Sequence, residues 1–262
     1  MRSIMKESRR NGKIGVTVLQ PRIIEEEDKK RLARVQALLT EGRGTDLILL
    51  PELWRVGYSN FASYRERAEA LAGGTVSFLQ GAAREERAYL LGGSFIERDH
   101  DHLYNTAVLL DRNGEIIGIY RKSHLLSYRS QERDLLTPGN ELTVIETPIG
   151  TLGIAICYDL RFPEIFRAMS ESGVEVFLVP AAWPITRMEA WEALCRARAV
   201  ENQAYIIACN AVGERLLGHS MVVDPWGVKI ASLGSGEGVL QTSLDLARLR
   251  RFREEFPVWR ER

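Results

Sequence analysis

Leu152-Gly153-Ile154-Ala155-Ile156-Cys157-Tyr158-Asp159-Leu160-Arg161-Phe162-Pro163-Glu164 changes character at one residue. Five mostly apolar residues give way at Cys157 to a polar segment, and Ile165-Phe166-Arg167-Ala168-Met169 then resumes at helical spacing. The pattern predicts a buried strand, a tight turn and a helix. Cys157 would stand at the C-terminal end of the strand, near a helix N-terminus whose unpaired N–H groups and dipole favour a thiolate. It is a candidate nucleophile; the bland alternative is a cysteine packed as a small hydrophobe. A lone thiol is only a candidate until a base is found for it.

The rest of the chain narrows the class. With 262 residues, 45% of them hydrophobic and 27% charged, it has the make-up of an ordinary globular protein, and no linker divides it. A single domain over 1–262 is expected, with a flexible lead-in over 1–12 and a C-terminal extension from about 244 to 262. Lys and Arg total 35, as do Asp and Glu, so there is no basic footprint for nucleic acid or an anionic membrane. No apolar run approaches the roughly 18 residues that suggest a membrane span. The lead-in lacks the apolar stretch of a signal peptide, which predicts a cytoplasmic protein. Cys157, Cys195 and Cys209 are an odd number and make no disulfide framework; the last two read as core residues.

Read in order, residues 13–19 form a first strand, and Leu32, Val35, Leu38 and Leu39 mark one face of a helix. Asp46-Leu47-Ile48-Leu49-Leu50 is a short apolar run closed by Pro51, so Glu52 falls just past a buried strand. A helix over about 75–87 precedes a strand over 89–96. The tip Arg98-Asp99-His100-Asp101-His102 has ligand-type residues, but a polar hairpin tip explains them more simply than a metal site. Strands over 103–110 and 115–121 flank the turn at Asn113-Gly114 and deliver Lys122. Residues 123–140 are polar and irregular and contain Glu132. A strand over 174–179, ended by Pro180, a helix over 187–202 and a strand over 205–209 follow. The tail Phe256-Pro257-Val258-Trp259 is too apolar to stay in water and should dock on this or a neighbouring subunit. Strands alternate with helices but hairpins intervene, which argues for a layered α/β protein with mixed sheets.

Glu52, Lys122 and Cys157 each follow an apolar strand at its C-terminal end, the edge of an α/β sheet where ligands bind. Here the chain resembles the nitrilase superfamily of carbon–nitrogen hydrolases. The matching pieces are Leu50-Pro51-Glu52-Leu53 with Gly57-Tyr58, Tyr120-Arg121-Lys122-Ser123-His124-Leu125, the segment from Gly153 to Glu164, Arg196-Ala197-Arg198-Ala199-Val200-Glu201-Asn202-Gln203 and Gly218-His219-Ser220. The resemblance implies a four-layer α-β-β-α sandwich, a Glu52-Lys122-Cys157 triad, a homodimer or higher homo-oligomer, and no metal or organic cofactor. Glu52 would act as general base, and Lys122 with the backbone N–H of Tyr158 would meet the oxyanion. Glu132 matches a second active-site glutamate.

Around the nucleophile, Cys157-Tyr158-Asp159-Leu160-Arg161-Phe162 is similar to the branch of omega-amidases and deaminated-glutathione amidases, so a small-molecule amide is the expected substrate. Arg187, in Trp183-Pro184-Ile185-Thr186-Arg187-Met188-Glu189-Ala190-Trp191, is a candidate for a substrate carboxylate, although Ala190 stands where similar members have His. Tyr58 and Trp183 are candidate pocket walls. An N-carbamoyl amide hydrolase or a nitrilase would use the same triad, and a non-catalytic binding member of the fold is the alternative from another class.

Overall fold

The computed structural model describes residues 12–261, so the expected lead-in lies, except for Gly12, outside the described residues. The chain opens with β1 (Lys13–Gln20), α1 (Asp28–Glu41), β2 (Leu47–Leu49), the single turn α2 (Tyr64–Arg67) and α3 (Gly74–Glu86). Next come β3 (Tyr89–Leu91), β4 (Phe95–Asp99), β5 (His102–Leu110), β6 (Ile116–Arg121), the single turn α4 (Glu132–Leu135), β7 (Thr143–Thr147) and β8 (Gly150–Ile154). The second half adds α5 (Pro163–Glu171), β9 (Val176–Ala181), α6 (Met188–Asn202), β10 (Tyr205–Asn210), β11 (Met221–Val223), β12 (Lys229–Ser232), β13 (Gly238–Asp245) and α7 (Leu246–Glu255).

Two mixed sheets result. One runs β13-β1-β2-β3-β5-β4, with β6 also paired to β5; the other runs β12-β11-β10-β9-β8-β7. The strands β1, β2 and β3 are parallel, as are β8, β9 and β10. Side chains alternate across a strand, and the first sheet uses both phases. Leu47, Leu49, Leu91, Ala107 and Leu109 join the large core that holds the second sheet, whereas Ile48, Leu50, Leu90, Val108 and Leu110 pack with Val35, Leu38 and Leu79 of α1 and α3. On the far side, Phe166, Met169, Trp191 and Cys195 bring α5 and α6 onto the second sheet. The order α, β, β, α is the expected four-layer sandwich.

Two expectations fail for reasons of tertiary geometry. The strand expected over 89–96 is two strands, β3 and β4, on the same side of β5. Gly93 breaks it with φ +67, and a Cβ there would meet the Pro51 carbonyl oxygen at 2.0 Å. Pro180 does not end its strand but lies inside β9. Ala155 N–H donates to Leu178 O, so Leu178 and Pro180 face β8, which ends at Ile154 opposite Leu178. Pro180 therefore falls where no ladder bond needs its missing N–H.

The C-terminal tail docks in part on its own chain. Trp259 N–H donates to Gln203 Oε1 at 2.9 Å, and the Arg253 guanidinium lies 4.5 Å from the centre of its ring. Phe256 stays exposed. Among the described residues, no helix is long and apolar enough to cross a membrane.

Candidate active site

The corner after β8 is tighter than a strand-to-helix turn. A 3-10 segment over Cys157–Arg161 intervenes before α5, and Cys157 itself takes φ +47, a left-handed conformation that strains a residue with a Cβ by roughly 1–2 kcal/mol. Asp159 holds it in place. Its buried carboxylate accepts from Ile156 N–H at 2.9 Å, His124 N–H at 3.0 Å and Tyr120 OH at 2.8 Å, with His124 Nδ1 at 2.8 Å. His124 in turn stacks on Phe162, 3.7 Å between ring centres. The corner of one sheet is thus tied to the chain leaving β6 of the other.

The expected stabilisation of a thiolate by the following helix is not what surrounds the sulfur. The helix α5 starts only at Pro163, while burial, and then the Glu52 carboxylate, push the Cys157 thiol well above its ordinary value. Cys157 thus stands beside a carboxylate and not at a helix N-terminus.

The carboxylate is that of Glu52, which follows β2 at the C-terminal edge of the first sheet and is buried. Its Oε1 accepts from Lys122 Nζ at 2.8 Å and Asn105 Nδ2 at 2.9 Å; its Oε2 accepts from Ala182 N–H at 2.9 Å. Cys157 is also a polar neighbour of this carboxylate. Lys122 also donates to Glu132 Oε1 at 2.7 Å, and Glu132 Oε2 accepts from Leu126 N–H at 2.9 Å. Burial raises the Glu52 carboxyl above the usual range, opposed by Lys122 and reinforced by Glu132. Burial alone would lower the Lys122 ammonium, but Glu132 and Glu52 outweigh it and hold the value well above that of an ordinary lysine. Such an arrangement can take a proton from sulfur while keeping a fixed cation beside it.

The cluster opens into a cavity of about 290 Å³, to which Lys122 and Cys157 contribute. Tyr58, Tyr158, Trp183 and Arg187 line it, so every residue singled out from the sequence reaches one place, Glu52 and Glu132 from behind Lys122. Tyr58 OH bonds Ser130 Oγ at 2.9 Å, and its ring lies 5.7 Å from Lys122 Nζ. The backbone N–H of Tyr158 sits in the first turn of the 3-10 segment, where N–H groups have no acceptor within the turn. Ala190 packs against the core instead of lining the cavity.

Sequence reasoning passed over Asn105 and the other arginines of the cavity. Asn105 shares the phase of Ala107 and Leu109, and a polar residue on the inward phase of an apolar strand was the available signal. Arg129, Arg161 and Arg215 join Arg187 on the walls, and among the described residues no Asp or Glu lines the cavity. Arg161 lies over Trp183 at 5.0 Å and Arg187 over Tyr128 at 5.7 Å. At the 98–102 hairpin, His100 Nε2 lies 3.7 Å from Asp99 Oδ1, and among the described residues no group of three or more His, Cys, Asp or Glu is placed to hold a metal ion.

Residues 15–254 match the carbon-nitrogen hydrolase family, and the chain belongs to it, within the nitrilase superfamily. It is 36% identical over 244 residues to 2-oxoglutaramate amidase of Paenarthrobacter nicotinovorans, covering 88% of this chain and 83% of that one. The crystal structure of Saccharomyces cerevisiae Nit3, a member of branch 10 of the nitrilase superfamily, superposes with a TM-score of 0.87 at 31% identity, over 95% of this chain and 96% of that one. An amidase variant from Nesterenkonia sp. AN1, in which acrylamide has added to the active-site cysteine, gives a TM-score of 0.81 at 26% identity, over 93% and 98% of the two chains. The protein is a hydrolase of carbon–nitrogen bonds other than peptide bonds.

Proposed function

We propose that this protein is a cysteine-dependent amidase that releases ammonia from a small linear amide carrying a carboxylate at its other end. The observation that carries the reading is the Cys157 thiol beside the buried Glu52–Lys122–Glu132 cluster, at the foot of a cavity walled by aromatic rings and arginines. In the first half-reaction, Cys157 Sγ attacks the amide carbon while Glu52 takes its proton. The oxyanion is met by the Lys122 ammonium and the Tyr158 backbone N–H. Collapse breaks the carbon–nitrogen bond, the nitrogen leaves as ammonia with the proton held by Glu52, and a thioester remains on Cys157. Glu52 then accepts a proton from water as its oxygen attacks the thioester, and passes that proton to Cys157 Sγ as the carbon–sulfur bond breaks, which releases the carboxylic acid and restores both groups. Glu132 and Tyr58 hold Lys122 in place throughout.

For the far end of the substrate, Arg161 and Arg187 offer planar forks that suit a carboxylate. The similarity to 2-oxoglutaramate amidase supports an omega-amide of this kind, and the Nesterenkonia adduct supports a nucleophilic cysteine. Trp226, Val228 and Phe256 stay exposed, which supports assembly as a homodimer or larger homo-oligomer; sedimentation tests it. Three unpaired cysteines suit a reducing cytoplasm.

The test is ammonia release from omega-amides of 2-oxo acids, neutral aliphatic amides, nitriles and N-carbamoyl acids, each beside a Cys157→Ala control. Release confined to the carboxylated amides and absent in the control is the expected result. Release from N-carbamoyl acids alone, or an undiminished control, refutes it.

A further inference from the structure

Two carboxylates and one ammonium share a buried space, and this charge count is not self-explanatory. Glu52 and Glu132 each offer Oε1 to the same Lys122 Nζ, and all three side chains are essentially sealed from solvent. Like charges so placed normally settle by one acid keeping a proton. A protonated Glu52 could not serve as the base that the proposed reaction needs.

Asn105, in the middle of β5, is the fourth member of this cluster. It is fully buried, and its Nδ2 donates to Glu52 Oε1 at 2.9 Å and to Glu132 Oε1 at 3.2 Å. An amide and an ammonium thus bridge the same pair of oxygens from two sides. The amide cannot turn round, because its Oδ1 would then face two carboxylate oxygens. That Oδ1 has no hydrogen-bond partner among the described residues, so the side chain gives up one of its own bonds to keep both N–H groups on the acids. Both donors fall on Oε1 of Glu52, which leaves Oε2 to accept from Ala182 N–H.

We infer that Asn105 is a positioning residue of the reaction: its amide keeps Glu52 ionised beside Glu132 and fixes the rotation of its carboxylate beside Cys157. The inference rests on Glu52 acting as the base. Every titratable group facing Glu52 enters it: Lys122 after β6, Glu132 in α4, Cys157 after β8, and more distantly Tyr58 and Tyr64. A donor that bonds the charged form of an acid lowers its pKa, so removing the donor raises it.

The experiment measures kcat/KM for ammonia release against pH in the full chain, for wild type, Asn105→Leu, Asn105→Ser and Glu52→Gln. Asn105→Leu keeps the bulk and removes both donors; its acid limb should move up by about one pH unit, with a plateau about 10-fold lower carried in kcat rather than KM. Asn105→Ser keeps one donor and should lie between. It also serves if the Leu variant does not fold, which circular dichroism and thermal melting establish. The rate of Cys157 alkylation by iodoacetamide against pH gives the same comparison without a substrate. A folded Asn105 variant that loses rate with the acid limb unmoved overturns the inference and marks Asn105 as packing alone. If Glu52→Gln retains the wild-type rate and limb, the general-base reading fails instead, so the two failures are distinct.

Discussion

The Lys122 ammonium donates to Glu52 Oε1 at 2.8 Å in a site where neither side chain has more than 1% of its surface exposed. One cation, held also by Glu132 at 2.7 Å, is therefore the counter-charge of two buried acids. Removing one partner of a buried pair leaves an uncompensated charge and destabilises by about 3–5 kcal/mol. Lys122→Met should lose activity and stability of that order. Adding Glu132→Gln should restore much of the stability and none of the activity, read from urea midpoints at unchanged slope. A double variant no more stable than the single one would remove the charge argument.

The pH profile follows from the same cluster. Glu52 can accept a proton only when ionised, so activity falls as pH drops through its pKa. Burial raises that pKa first, Glu132 adds to it, and Lys122 opposes both. The acid limb of kcat/KM should thus lie above the ordinary glutamate value of about 4.3. The alkaline limb should lie beyond that of an ordinary lysine, since Lys122 is held up by its two acids. An acid limb at or below about pH 4 would contradict this assignment.

Thiol reactivity should separate the three cysteines. Burial pushes all three thiols upward, so ionisation in isolation favours none of them. Cys157 has the Glu52 carboxylate beside it and lines the cavity, at 8% exposure against 0% for Cys195 and Cys209. Iodoacetamide on the native protein should label Cys157 first, as located by peptide mass spectrometry. Equal labelling at Cys195 or Cys209 would argue against an activated thiol.

Arg161 and Arg187 should decide which amides bind. Hydrogen bonds to charged groups contribute about 1.5–3 kcal/mol, so Arg161→Met or Arg187→Met should lower kcat/KM by about 10- to 100-fold on carboxylated amides. The effect should appear mainly in KM, with neutral amides changed by no more than about threefold. Equal losses on both classes would mean that the arginines shape the cavity without reading charge.

Much of this site was legible because its parts sit where strand patterns end. Apolar runs stop at Pro51, Arg121 and Ile156, and the next reactive residues are Glu52, Lys122 and Cys157. Family resemblance, not periodicity, added the four layers and Glu132. What stayed hidden depends on contacts distant in sequence. Gly93 breaks a strand because Pro51 passes beside it, and Pro180 is tolerated because β8 happens to end first. The arginines gather from four separate loops. The thiolate expectation placed Cys157 near a helix N-terminus, and the 3-10 segment over Cys157–Arg161, which separates it from α5 at Pro163, was not visible in the pattern.

Asp159 should be the structural keystone of the nucleophile corner. Its two oxygens accept from Ile156 N–H, His124 N–H and Tyr120 OH, with His124 Nδ1 at 2.8 Å, and it is fully buried. Asp159→Asn keeps the shape but replaces one acceptor oxygen with an NH2 group that meets donors. Losing charge-assisted bonds and leaving a buried donor opposed should destabilise by about 2–4 kcal/mol. The strained Cys157 backbone, φ +47, depends on those bonds, so the corner should loosen before the fold does. Hydrogen exchange at Ile156 and His124 should rise ahead of exchange in β9, and kcat should fall while residual KM stays within about threefold. Unchanged exchange at the corner with lost activity would place Asp159 in the chemistry and not beneath it.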